Sequence, residues 1–213
     1  EPNTHMEGNE RSCNGRKIHG KLHSPSSLNV VSPETNLKGT FHIEDGVGKF
    51  EGEVKNVPYL SAPGFILART VDEKPFPDVT MCNGIKIKLK SSNPEYEGYR
   101  ISFGNKRAPK GKPFAYGFKA NLSVAGAEDE EIVVPFSSFT DFWDDHTGNA
   151  IHTCQENPKY CPDRDTLRNL KTIMIWGEGV AGPVALELES ISATGCYEIS
   201  QTKRYTKHLL RTT

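Results

Sequence analysis

Apolar and polar positions alternate along much of this chain. The clearest stretch is Gly84–Lys90, where Ile85, Ile87 and Leu89 fall on one side and Lys86, Lys88 and Lys90 on the other. Successive side chains of a strand point to opposite faces, so the pattern predicts a half-buried antiparallel strand. Tyr99–Gly104 alternates too, with Tyr99, Ile101 and Phe103 inward. Thr40–Glu44 and Val47–Val54 flank Asp45-Gly46, a strong two-residue hairpin signal. Further strands are expected at Phe65–Val71, Tyr116–Val124, Ile132–Phe136, Thr172–Gly177 and Val184–Ala193, with one edge strand around Leu28–Val31. No 12-residue window repeats apolar residues at helical spacing, which excludes a helical bundle. One short helical turn is expected at Asp165–Leu170, capped by Asp163 or Asp165.

These elements make eight or nine mostly antiparallel strands. The 19 glycines and 14 prolines among 213 residues punctuate them at the spacing of a sandwich or barrel. Residues 1–37 are polar and read as an extended N-terminal arm, whose His5, His19 and His23 lack the spacing of a metal site. Residues 197–213 read as a basic C-terminal extension, with Lys203, Arg204, Lys207 and Arg211 against Glu198.

Charge narrows the function. With 26 Lys+Arg against 27 Asp+Glu, and a pI near 6.7, the chain lacks the basic footprint of a nucleic-acid binder. No apolar run is long enough for a membrane-spanning helix. The chain opens on Glu1-Pro2 rather than Met, which reads as a form trimmed of a targeting segment.

Of the five cysteines, Cys154 and Cys161 enclose a polar loop suited to a local disulfide; their six-residue spacing and the lack of a second pair argue against zinc. Cys13 and Cys196, one near each end, are expected to tie the termini together, leaving Cys82 as a buried thiol. Two bridges place the chain in an oxidising compartment. The Asn121-Leu122-Ser123 sequon is a weaker hint of a secretory route.

Candidate chemistry gathers around residues 139–146. Asp141, Asp144 and Asp145 flank Phe142 and Trp143, so the loop reads as solvated or capping acids, with calcium or a carbohydrate contact as sharper alternatives. Trp143 is the better tryptophan for a ligand or partner contact. Trp176 shares a face with Met174 and Thr172 and reads as core, with a sugar-stacking platform as the alternative. The loop bearing Lys106, Arg107, Lys110 and Lys112 reads as solvated or as facing an acidic partner. No nucleophile elbow, phosphate-binding loop or zincin motif occurs, so no catalytic set is expected and no cofactor.

Several segments occur in a telling order: Gly64-Phe65-Ile66-Leu67-Ala68-Arg69, Gly84–Leu89, Tyr99–Phe103, Val133–Phe139, Leu170–Gly177 and Val184–Ile191. The series resembles the CIA30 (complex I intermediate-associated protein 30) domain family over roughly residues 38–196. Phe139–Asp145 and Tyr160-Cys161-Pro162-Asp163 are similar to its algal, diatom-like branch. The Met-Gly-Gly element common in that family has no counterpart at Asn29–Gly39. The resemblance implies an all-β jelly-roll sandwich of the galactose-binding-like type. It further implies a non-enzymatic accessory subunit or assembly factor, docked on protein subunits of an organellar membrane electron-transport complex (a photosystem, or respiratory complex I). Disulfides would then favour the thylakoid lumen over the mitochondrion. The contact candidates are Trp143, Phe142, Asp141, Asp144, Lys106, Arg107, Lys203, Arg204 and Lys207. The alternative is a carbohydrate-binding module of a lumen or the secretory pathway, using Trp143, Tyr116 and the Asp141/Asp144 loop.

Overall fold

The computed structural model describes residues 28–31, 39–70, 76–110, 112, 115–126 and 128–197. In chain order the strands are β1 (Leu28–Val31), β2 (Gly39–Glu44), β3 (Val47–Val54), β4 (Asn56–Val57), β5 (Ala62–Pro63) and β6 (Phe65–Thr70). They continue with β7 (Gly84–Ser91), β8 (Tyr99–Gly104), β9 (Phe118–Asn121), β10 (Glu130–Pro135), β11 (Thr172–Glu178) and β12 (Gly182–Thr194). One five-stranded sheet runs β1-β6-β11-β8-β9 and a second runs β10-β7-β12-β3-β2, while β4 and β5 pair by themselves. Every pairing is antiparallel. Strand β1 lies at a sheet edge, paired to β6, so the sandwich takes a strand from the stretch that reads as the N-terminal arm. The basic extension's Lys203, Arg204 and Lys207 lie outside the described residues.

Both sheets turn alternate residues toward each other. Phe50, Ile87, Leu89 and Leu186 from one meet Ile66, Ile101, Phe103 and Ile175 from the other, each with 1% exposure or less. Fully burying one such side chain stabilises the fold by about 1.5–3 kcal/mol. Phe103 centres an aromatic cluster, 4.7 Å from Phe139, 5.7 Å from Phe136 and 5.9 Å from Phe118. The Tyr99 hydroxyl crosses between the sheets, accepting from Ala185 N at 3.0 Å and sharing a 3.1 Å hydrogen bond with Ser91 Oγ. A buried phenol is thereby satisfied.

The outer face of the second sheet is a ladder of cross-strand ion pairs: Lys86–Glu131, Lys88–Glu189 and Lys90–Glu187 at 3.2, 2.6 and 3.1 Å. The lysines of the alternating β7 run thus face water, where each pair adds little stability. A bulge between Leu188 and Ser190 resets the alternation, so Leu188 and Ile191 both point inward although three residues apart. Asp45 and Gly46 take φ of 51° and 83°, the left-handed pair that a type I′ hairpin turn needs. The short helix α1 (Arg164–Arg168) is capped by Asp163, which accepts from Thr166 N at 2.7 Å.

Two disulfides close the chain. Cys154 pairs with Cys161, as the loop spacing predicts. The second joins Cys82 to Cys196, which corrects two expectations: Cys196 does not pair with Cys13, and Cys82 is no free thiol. Cys82 lies just before β7 and Cys196 just after β12, and these two strands pair, so the sheet itself brings the two thiols together. Cys13 lies outside the described residues.

Candidate functional site

The first sheet buries charge on its outer face. Arg100 and Ser102 on β8, Lys119 on β9, and Met174, Trp176 and Glu178 on β11 occupy cross-strand positions there. All six are nine-tenths or more buried. The Lys119 ammonium lies 2.7 Å from Glu178 Oε1 and donates to Oε2 at 3.0 Å. It also stands over two indoles, 4.3 Å from the Trp176 ring centre and 4.6 Å from that of Trp143. Burial pushes the Lys119 ammonium below its ordinary pKa, opposed by the Glu178 carboxylate. Burial likewise lowers Arg100, whose guanidinium donates to Glu97 O at 2.7 Å, Tyr99 O at 2.9 Å and Asn149 Oδ1 at 3.2 Å. Trp176 Nε1 donates to Ser102 Oγ at 2.7 Å, and its ring packs 5.4 Å from Phe65. With 2% exposure, Trp176 is packed rather than presented, so the stacking-platform alternative does not hold for it.

Residues 141–151 cover part of this face. The segment folds back on itself through an antiparallel bridge between Trp143 and Ala150, with Asp144 N donating to Asn149 O and Ile151 N to Phe142 O. At its turn, Gly148 has φ of 66°, and an added Cβ would stand 2.6 Å from Glu178 Cδ. The hairpin therefore rests on the buried carboxylate, and only glycine fits there.

The acids of this hairpin are not a ready cation site. Asp144 folds its carboxylate onto its own turn, accepting from His146 N at 2.9 Å, Thr147 N at 2.8 Å and Thr147 Oγ1 at 3.1 Å. Those bonds hold it below the usual carboxylate range. Asp145 accepts from the Tyr116 hydroxyl at 3.3 Å, and its charge raises that phenol's pKa. Among the described residues no cluster of three His, Cys, Asp or Glu has a metal-binding arrangement.

Beside the hairpin, a groove of about 350 Å³ opens between the edge strands β9 and β10. Trp143, Lys119, Asn121, Thr140, Thr153 and Gln155 are among the residues that line it. Trp143 is 9% exposed, and Tyr116, 66% exposed, stands 6.0 Å from it. An indole amid amides and hydroxyls suits a polyhydroxylated ligand, which would meet an apolar wall and convergent polar groups.

The other candidates scatter. Phe142 points to the opposite side from Trp143, stacking 4.9 Å from Tyr160 and 5.9 Å from His152, and Asp141 beside it is exposed. Arg107 lines a separate cavity of about 180 Å³ with Arg69, Thr70, Thr172 and Met174; Lys106 of the same loop is exposed. The structure therefore does not gather the predicted contacts into one site. Sequence reasoning missed Arg100, Lys119 and Glu178. Their signal was a single charge in the middle or at the end of an apolar strand, repeated on three strands.

No family model matches the chain, and no characterised protein matches it in sequence. Two carbohydrate-binding modules are among the solved structures it is similar to. The family 11 carbohydrate-binding module of the cellulosomal cellulase Lic26A-Cel5E of Clostridium thermocellum superposes with a TM-score of 0.53 at 14% identity, covering 88% of this chain and 98% of that one. A family 11 module from the same organism, in complex with a β-1,3-1,4-mixed-linked tetrasaccharide, gives 0.51 at 13% identity, covering 84% and 94%. The fold is a jelly-roll β-sandwich. At such identities the likeness establishes fold, and function is argued from the site. Within this jelly roll, the hairpin and its groove occupy the open edge between the two sheets. No helix among the described residues is long and apolar enough to cross a membrane, and the two disulfides fit an extracellular or lumenal location.

Proposed function

We propose that this chain is a carbohydrate-binding module that holds a glycan, without turning it over, in the groove between β9 and β10. The observation that carries the reading is the groove itself: Trp143, Asn121, Thr140 and Gln155 are among the residues lining a space of about 350 Å³. The fold supports it, since a jelly roll of similar structure is complexed with a mixed-linked tetrasaccharide. Accessory-subunit docking on an organellar electron-transport complex, with the thylakoid lumen as its location, is the reading that the CIA30 resemblance implies. It rests on the motif series alone and draws no support from the groove.

Isothermal calorimetry tests the proposal, using the β-1,3-1,4 tetrasaccharide together with xylan and galactan oligosaccharides. The wild type should bind at least one. Trp143→Ala and the surface pair Asn121→Ala/Gln155→Ala should each weaken binding tenfold or more. Absence of heat from the wild type across the whole set overturns the reading.

A further inference from the structure

We propose that Asn121 is a site of N-linked glycosylation and that a glycan attached there closes the groove; the closure rests on the carbohydrate-binding reading above. Asn121-Leu122-Ser123 is the only Asn-x-Ser/Thr triplet among the 213 residues, and its middle residue is not proline. Such triplets recur by chance, so placement in the fold is what distinguishes this one. Asn121 ends β9, an edge strand of the first sheet, and pairs there with Arg100. Leu122 turns into the core, 3% exposed, and its amide donates to Tyr99 O. Asn121 and Ser123, on either side of it, are both exposed.

From Ala120 to Ser123 the chain alternates between buried and exposed residues, as an extended segment over a core does. The acceptor amide and the hydroxyl two residues on therefore share the outward side. Neither side chain is hydrogen-bonded to another described residue. A glycan on Asn121 Nδ2 thus displaces no packed group and breaks no bond of the fold. The donor is an oligosaccharide carried on a lipid diphosphate. Asn121 Nδ2 bonds to its anomeric carbon, the bond from that carbon to the diphosphate oxygen breaks, and lipid diphosphate leaves. One amide proton passes to the transferase's base, with no change of oxidation state. The two disulfides fit the secretory compartment in which this transfer takes place.

Asn121 and Ser123 also line the groove, together with Trp143, Thr140 and Gln155. At about 350 Å³ the groove is near the lower limit for a ligand pocket, so it has little room to spare. A glycan bonded to its wall keeps its first sugars at the groove permanently. So short a tether holds them at an effective concentration on the order of millimolar, in constant competition with any free oligosaccharide. The attachment also converts the Asn121 amide, one of the polar groups of the groove, into a linkage. The modified chain is closed to outside glycans and the bare chain is open.

The test compares the chain secreted from a eukaryotic cell with the chain exported to a bacterial periplasm that lacks the transferase. Peptide mapping by mass spectrometry should find a hexosamine-containing adduct on Asn121 of the secreted chain alone. Peptide N-glycosidase should remove it and leave Asp. Ser123→Ala should abolish the adduct with Asn121 in place, and Ser123→Thr should retain it. Native electrophoresis in gels containing mixed-linkage β-1,3-1,4-glucan, xylan or galactan then reads the groove. The periplasmic chain should be retarded in at least one gel, and the modified chain should bind there at least tenfold more weakly. A bare Asn121 in the secreted chain overturns the proposal and leaves the groove reading standing. Equal retardation of the modified and periplasmic chains overturns the closure. No retardation of the periplasmic chain in any gel overturns the carbohydrate-binding reading and the closure with it, while the mass of the Asn121 peptide still decides the modification.

Discussion

Lys119 and Glu178 meet at 2.7 Å across the width of an intervening strand, both more than nine-tenths buried, with Trp143 over the ammonium. A lysine and a glutamate each lose several kcal/mol of hydration on burial, and their attraction compensates only while both are present. The pair is thus a poor source of net stability and a strong constraint on arrangement. It fixes where Trp143 lies, and Trp143 forms one wall of the groove.

Removing one partner should therefore cost far more than removing both. Glu178→Gln leaves the Lys119 ammonium buried without a counter-charge and should destabilise the fold by about 3–5 kcal/mol. The double variant Lys119→Met/Glu178→Gln should recover a large part of that loss. Urea unfolding of the two single variants and the double, treated as a thermodynamic cycle, measures the coupling. Additive losses would show that the two groups act independently.

The two disulfides should differ in their contribution. Cys82 and Cys196 are 114 residues apart in sequence, whereas Cys154 and Cys161 are 7 apart. On the chain-entropy view the long closure contributes about 4–5 kcal/mol and the short one about 2 kcal/mol. Denaturant midpoints of Cys82→Ser/Cys196→Ser and Cys154→Ser/Cys161→Ser compare them. The first pair should unfold at clearly lower denaturant.

The Asp144 turn should loosen in acid. Its carboxylate is depressed in the folded chain by the amides of Thr147 and His146, so the unfolded segment binds the proton first as pH falls. The turn's stabilisation is complete above the ordinary Asp pKa of about 3.9, and is lost below it as pH passes through the lower folded value. Amide shifts of His146 and Thr147 followed by NMR from pH 6 to pH 2 should titrate with a midpoint below that ordinary value. Asp144→Asn should abolish the titration.

How much was legible depended on which neighbours decide a residue's surroundings. Strand β7 could be read in full because one of its faces is the core and the other is water, so the Ile/Lys alternation carries all the information. Strand β8 could be half read. Tyr99, Ile101 and Phe103 point inward as their pattern predicts, but Arg100 and Ser102 are buried too, beneath a hairpin some forty residues later in the chain. Strand β9 is shorter than Tyr116–Val124 suggests, spanning Phe118–Asn121, because its pairing with β8 extends only from Phe103 to Arg100. The partner of Cys196 was hidden for the same reason, since the pairing of β7 with β12 is a fact of topology and not of spacing. The hairpin chemistry was legible in composition but not in allocation. Trp143 stood out in the sequence and lines the groove, whereas His152 and Tyr160 gave no sign of stacking on Phe142 until the loop closed.

The Cys82–Cys196 bridge has a consequence for survival outside the cell or in a lumen, where proteases work. It links the residues just before β7 and just after β12, and so encircles six of the ten strands in the two main sheets by joining partners that already touch. A peptide bond cut in an exposed turn within that span, such as the segment between β8 and β9, does not release a fragment. Both pieces stay tethered at the bridge and interleaved in the same two sheets, so the nicked molecule keeps its shape, and its groove, until a reductant arrives.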